Sequence, residues 1–290
     1  MNDNLTKIQN DEVKQEIKTP IENRRDFIVF VSSKNGNPNG DPDNGNAPRI
    51  DTATQKGIIT DVSLKQRTRQ GVKYVCGEKI MIDRENESIK NAVSKVIPKE
   101  ADENDISSIL CENYWDVRAF GGVFGKSSKA VTGPVQIGIG TSIDKISVNE
   151  MSINRCITND KKPDKNGDMN TNSQFGDKPY QTYGLYQFFG SVSPFYAKKT
   201  GFSEEDLKKL FIGLNNAYTF WTSAQKGETE TVKIIVFKHN SKFGNAKVNE
   251  LAKCICVKLR DGVTVPIDYA DYEISVDQSA IPEGVTVEII

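Results

Sequence analysis

Three groups of residues carry types and spacings that chemistry could use. Lys65, Arg67 and Arg69 alternate with polar residues in LKQRTR. On a helix, Lys65 and Arg69 fall four apart on one outward face, with Arg67 pointing elsewhere. Such cations suit phosphate groups, although an ordinary solvated face reads the same way. Asp41 and Asp43, in DPDNGN, could hold a divalent metal as paired carboxylates. As a calcium loop the stretch fails, because Gly45 stands at loop position five where six is required and Thr52 replaces the bidentate Glu at twelve. Two Asp around a Pro are more often turn makers. Gly121–Ser127 (GGVFGKS) resembles a phosphate-binding loop, but the first Gly should stand where Phe120 does. Arg118–Gly125 (RAFGGVFG) half-matches the signature of RNA-recognition modules, with Gly122 and Gly125 where further stacking aromatics belong. His239 is the only histidine, and nothing in the chain converges on it for nucleophilic catalysis.

The elements that must position these residues follow from periodicity. Phe27–Val31 reads as a buried strand. It runs into KNGNPNGDPDNGNAPRID (34–51), where 14 of 18 residues are Asn, Gly, Asp or Pro, residues that make turns and tolerate positive φ. Thr60 is placed to cap a helix reaching about Tyr74, with Leu64, Thr68, Val72 and Val75 facing inward. A second helix spans Ile89 to Ile97 and stops at Pro98. A third covers Ile106–Asn113, with Asp105 as its cap. Residues 135–143 alternate at period two, and 146–157 fit one or two more strands. The polar run 158–179 predicts an exposed loop or hairpin tip. Ser203 and Asp206 form a capping box for a helix over 203–221, with a stripe through Leu207, Leu210, Phe211, Leu214, Tyr218 and Trp221. A strand at Val232–Phe237 follows, then edge strands past Gly262. The order predicts an α+β fold, with a polar extension at 1–23 carrying a loose helical pattern.

Composition narrows the partners. The net charge is −1, with 38 Lys and Arg against 39 Asp and Glu. Residues 261–290 hold seven of the acids and no base, and residues 1–23 hold five acids and three Lys, so 24–260 carries a net +8. A basic middle suits a polyanion. No apolar run approaches the ~18–20 residues of a membrane helix, and the N-terminus lacks the pattern of a secretory signal. Five cysteines without C-x-x-C spacing argue against zinc and disulfides. A cytoplasmic protein without cofactor or metal is expected.

Eight stretches taken in order, NGNPNGDPDNGNAPRID, TDVSLKQRTR, DVRAFGGVFG, GPVQ, SINR, YGLYQFFG, TGFSEEDL and FKHNSKFGNA, resemble one family over Arg24 to Leu259. It is the Cascade backbone subunit of CRISPR systems, the Cas-seven superfamily, and the likeness is greatest to its subtype I-C (Csd-two) branch. The resemblance implies a ferredoxin-like or RRM-like palm within 24–260, a fingers insertion and a thumb hairpin, with 158–180 assigned to the thumb or fingers projection. The acidic 261–290 segment lies outside it. It implies a non-catalytic subunit that polymerises head to tail along crRNA beside other Cascade subunits and presents the spacer to target DNA. Such a role needs phosphate contacts that ignore sequence. The residues carried over are Lys65, Arg67 and Arg69, then Arg49, Arg118, Gln136 and Arg155, with Asn37 and Asn39 in the opening loop. Two other readings stand beside it: a metal-dependent RNA endonuclease using Asp41 or Asp43, as in type III relatives, and a self-assembling protein without nucleic acid.

Overall fold

The computed structural model describes residues 19–98, 101–102, 105–124, 130–154, 175–220 and 222–290. Its centre is strand β1 (Arg25–Gly36), buried along most of its length. Phe27, Val29 and Val31 point into one core, and Ile28 and Phe30 into another on the opposite face. A strand apolar on both faces must be covered twice, which explains the unbroken run of large side chains in DFIVFV.

β1 pairs antiparallel with both of its neighbours. The strands in chain order are β2 (Lys56–Ile59), β3 (Val135–Ile137), β4 (Gly140–Lys145), β5 (Val148–Asn154), β6 (Phe175–Val192), β7 (Glu228–His239), β8 (Ile255–Leu259), β9 (Tyr272–Val276) and β10 (Val285–Ile289). An eight-stranded sheet runs β10-β7-β1-β6-β4-β2, with β3 and β5 also on β6. The 135–143 alternation divides at Gly138–Ile139, and both halves lie along β6. Phe175–Gln181 pairs with Val148–Asn154 as the arms of a hairpin, while its connection lies outside the described residues.

The first face is covered by α1 (Asp61–Cys76) and α6 (Glu204–Asn215), with α4 (Trp115–Phe120) and α5 (Pro194–Thr200) beside them. α1 and α6 press together at Gly71 and Gly213. A Cβ on Gly71 would stand 2.6 Å from the Gly213 carbonyl oxygen, so no larger residue keeps this crossing. The other face is closed by α7 (Val248–Lys253) and the β8–β9 hairpin. α2 (Ile89–Ser94) and α3 (Ile106–Asn113) build a satellite cluster with Leu110, Tyr114 and Met81.

The local signals hold where they are local. The Thr60 hydroxyl accepts from the Ser63 amide, and Ser203 and Asp206 exchange both capping-box bonds. α6 ends at Asn215 rather than 221, because the Asn216 side chain donates to the Ile212 carbonyl and the chain turns through 216–220. Trp221 lies outside the described residues. Asp105 does not cap α3 through its side chain, since its own backbone is already helical (φ −89, ψ −16). α2 ends at Ser94, three residues earlier than Ile97. The helical pattern at Leu5–Ile17 lies outside the described residues. Pro20 bridges to Ser203, and Ile21 is buried in the first core. Among the described residues no helix is long and apolar enough to cross a membrane.

Candidate nucleic-acid interface

Past Gly36, β1 opens into the Asn-rich loop, and the 225–227 turn closes against it. The Asn37 amide donates to the Gln225 carbonyl at 2.7 Å. A Cβ on Gly36 would meet the Lys226 carbonyl oxygen at 2.1 Å, so the two segments touch backbone to backbone. Within the loop the Asn37 side chain donates to the Asn46 carbonyl at 2.6 Å, and Asn39 Oδ1 accepts from the amide and hydroxyl of Thr60. Asn35, Gly45 and Asn46 take positive φ, as turn residues should. Asn37 is buried and closes the loop on itself, and the half-buried Asn39 braces it onto the start of α1; neither side chain is offered outward. Among the described residues Asn37 Oδ1 is a buried acceptor without a hydrogen-bond partner.

A cationic cluster sits at this end. Lys226 Nζ donates to the carbonyls of Asn37 (3.1 Å) and Pro38 (3.3 Å). The Arg67 guanidinium lies over the Tyr218 ring at 4.8 Å. Burial, then the positive charge of Arg67, push the Lys226 ammonium down to about 8. Burial also lowers Arg67, partly offset by Tyr218, and raises the Tyr218 phenol to about 12. The half-buried Lys226 takes backbone carbonyls as acceptors, whereas the buried Arg69 and Arg118 take carboxylates. It escaped sequence reasoning because TSAQKGETE has no periodicity; the one local mark is Gly227, whose positive φ tightens the turn.

The other cations of the LKQRTR motif part company. Arg69 does not share an outward face with Lys65. It is buried, and its Nε donates to Asp116 at 3.0 Å, while Asp116 also accepts from the amides of Met81 and Ile82. The helix face at Arg69 is covered by α4 and the 80–82 segment, which periodicity alone cannot reveal. Lys65 is partly exposed and pairs with Asp61 at 2.9 Å, four residues earlier. Arg118 is buried too. It grips Asp206 at 2.8 and 3.1 Å and donates to the Cys111 carbonyl. Burial opposes the Arg118 charge, but the bonds to Asp206 outweigh it and the net shift is upward.

The remaining residues scatter. Arg49 is half-buried and pairs with Asp41 at 3.4 Å. Asp41 accepts weakly from the Asp43 amide, its carbonyl closes turns to Asn44 and Asn46, and Asp51 accepts from the amides of Ala53 and Thr54. Among the described residues no three His, Cys, Asp or Glu side chains converge as a metal site. Gln136 is exposed and lies opposite Ser191, at the end of the sheet where β1 begins, far from the Asn-rich loop. Arg155 and residues 125–127 of the phosphate-loop-like stretch lie outside the described residues. The structure therefore brings Asn37, Asn39 and Arg67 to one end and leaves Arg118 and Gln136 near the other.

One large antiparallel sheet covered on both faces, with a cation cluster beside an amide-rich loop, defines a mixed α/β protein with a site suited to a polyanion. The sequence profile of the family described as CRISPR-associated protein Cas7 matches residues 23–277, and the chain belongs to that family. A CRISPR-associated protein Cas7 of Haloferax volcanii is 27% identical over 216 residues, which cover 65% of this chain and 62% of that protein. The chain thus spans less than two thirds of that relative's length. A solved chain from a CRISPR RNA-guided surveillance complex, pre-nicking, superposes with a TM-score of 0.50 at 13% identity, covering 74% of this chain and 78% of the other. That likeness is one of fold. A chain of a further CRISPR RNA-guided surveillance complex gives 0.45 at 14% identity, over 74% and 68%.

Proposed function

We propose that this protein is the non-catalytic backbone subunit of a type I Cascade, of subtype I-C, that holds crRNA by its phosphates. Copies assemble head to tail along the guide, beside other Cascade subunits, and leave base edges free to pair with target DNA, all in the cytoplasm. In this reading residues 24–260 form an RRM-like palm with a fingers insertion and a thumb, residues 158–180 supply the thumb or fingers projection, and residues 1–23 and the acidic 261–290 segment flank the palm. Family membership supports the assembly. One observation supports the mode of binding: Lys226 lies against the loop carbonyls of Asn37 and Pro38 within reach of the Arg67 charge, and among the described residues no carboxylate counters its depression. A phosphate oxygen arriving there supplies the negative charge that Asp116 and Asp206 supply elsewhere. Lys65 and Arg49, each partly exposed and each held by one carboxylate, extend the phosphate track outward, and Arg155 is carried over from the family motif.

The test is RNA binding by Lys226→Gln, with Lys226→Arg as the charge-preserving control. Affinity for several unrelated RNA sequences falls alike in Lys226→Gln, and the log–log salt slope becomes shallower by about 0.7, since one phosphate fewer is neutralised. A loss confined to one sequence, or unchanged affinity, overturns the reading.

A further inference from the structure

At the opposite end of β1 the molecule displays aromatic rings. Phe195 and Tyr196 on α5 and Phe243 in the loop after β7 are all exposed, Phe243 to 71%. Phe195 and Phe243 meet with ring centroids 5.3 Å apart. Lys199 Nζ stands 5.5 Å from the centre of the Tyr196 ring and Lys242 Nζ 5.3 Å from that of Phe243. Neither α5 nor residues 240–247 contain an acid; their charges are Lys198, Lys199, Lys242 and Lys247, all exposed.

The loop that presents Phe243 is built around the only histidine. The buried His239 accepts the Asn245 amide at Nδ1 (2.8 Å), so its proton sits on Nε2 and donates to Asp26 (2.9 Å). Asp26 also takes a two-pronged contact from Arg24, whose own amide donates to the Ser241 carbonyl. Gly244 holds φ +86, and a Cβ there would meet Arg24 at 2.8 Å. The Asn245 and Asn240 side chains bond to each other at 2.7 Å. An exposed Phe on an unbraced loop would be an ordinary surface residue; here the backbone on either side of it is fixed. Rigid exposed rings interleaved with lysines are the composition of a platform on which unpaired bases stack while their phosphates lie along the cations.

We infer that Phe243, Phe195 and Tyr196, with Lys198, Lys199 and Lys242, form a second nucleic-acid site that stacks the bases of a single strand. It is a different site from the one at the Asn-rich loop. Arg25 opens β1 beside Val192 and Lys238, within two residues of α5 and the 240s loop, whereas Gly36 closes it at the Asn-rich loop. Eleven steps along a strand separate the two ends by about 35 Å. One strand of nucleic acid at the loop end leaves this platform open to another.

The experiment uses the full chain and a labelled oligo(dT) of about 20 nucleotides substituted with 5-iododeoxyuridine. Ultraviolet cross-linking and peptide mapping give the place of contact, and anisotropy gives the affinity. Cross-links fall in residues 194–200 and 239–247, and Phe243→Ser weakens oligo(dT) binding by at least about fivefold, the lower end for one stacked base. RNA affinity at the loop end stays at the wild-type value in Phe243→Ser, and Lys226→Gln leaves the platform cross-links in place. Those two variants separate this inference from the crRNA reading, so either can fail alone. Cross-links confined to the loop end, or wild-type oligo(dT) affinity in Phe243→Ser, overturn the second site. Loss of self-association or of partner subunits in Phe243→Ser with oligo(dT) binding intact overturns it too, in favour of a protein interface.

Discussion

Arg67 and Arg69 stand two residues apart on α1, both buried, and face different ends of the molecule. Arg69 reaches across to Asp116, and on the same side of the molecule Arg118 reaches Asp206 with Glu78 3.6 Å away. Arg67 turns toward the loop end, where its neighbours are the Tyr218 ring and the ammonium of Lys226. Taking a cation out of water is costly unless an anion accompanies it. In the first region the chain supplies that anion itself, so the pairs fasten α1, α4 and α6 together and have no capacity for a ligand. In the second, the Lys226 ammonium rests on the carbonyls of Asn37 and Pro38, and an incoming phosphate has a place to go. Counting basic residues in a motif does not tell these apart; the partner of each does.

The largest test of this contrast is Asp206→Ala. It strips Arg118 of both of its bonds to Asp206 and removes the carboxylate half of the α6 capping box at once. Breaking one side of a buried pair costs about 3–5 kcal/mol, and losing the carboxylate half of the capping box adds to it, so urea denaturation should show a large fall in midpoint. A loss below about 1 kcal/mol would mean that the acid-paired region is not a structural fastening. Then the distinction between the two regions collapses.

The next test uses proton linkage. Lys226 has a folded-state value of about 8 against its ordinary 10.5. Between those values the unfolded chain holds more protons, so the free protein gains stability as pH rises through that window. RNA binding moves the other way, because the protonated amine is the form that attracts phosphate. Denaturation midpoints and RNA affinities measured from pH 7 to 10 should therefore diverge in wild type. In Lys226→Arg, whose charge does not titrate there, the decline in affinity should flatten. Affinity and stability rising together would place the titrating group elsewhere.

What the sequence made legible is what depends on near neighbours. The strand at Phe27–Val31, the Thr60 cap, the Ser203–Asp206 box and the turn-forming character of 34–51 are decided within a few residues. The site was only half legible for the same reason. Arg69 finds its acid 47 positions away, Arg118 finds Asp206 88 away, and Lys226 reaches Asn37 across 189. Helical periodicity gives the angle of Arg69 around α1 but not the element that covers that angle. Asn37 and Asn39 read as ligand groups because Asn exposes amides; in the fold those amides and carbonyls close the loop on itself and on Thr60.

The loop brace supplies a smaller test. Thr60→Ala removes the hydroxyl that accepts from Ser63 and donates to Asn39, and a lost N-cap costs about 1 kcal/mol. Since the same hydroxyl ties the Asn-rich loop to α1, RNA affinity should fall along with stability, whereas Thr60→Ser should keep both. Thermal denaturation and RNA titration on the two variants check this.

Lys65 gives the smallest effect on stability and the finest cut at the comparison, because it belongs to neither extreme. Its ammonium pairs with Asp61 at 2.9 Å, with 18% of the side chain exposed against 31% for Asp61. An i,i+4 pair of this kind contributes about 0.3–0.5 kcal/mol, so Lys65→Ala should scarcely move the denaturation midpoint. If Lys65 also reaches RNA, Asp61 competes with the phosphate for it. Asp61→Asn should then raise RNA affinity at low salt, Lys65→Ala should lower it, and the double variant should match Lys65→Ala, because removing the competitor means nothing once the contested cation is gone. Additive effects in that cycle would show that Asp61 acts on RNA through its own charge, and that Lys65 belongs with the paired cations of the acid-bound region.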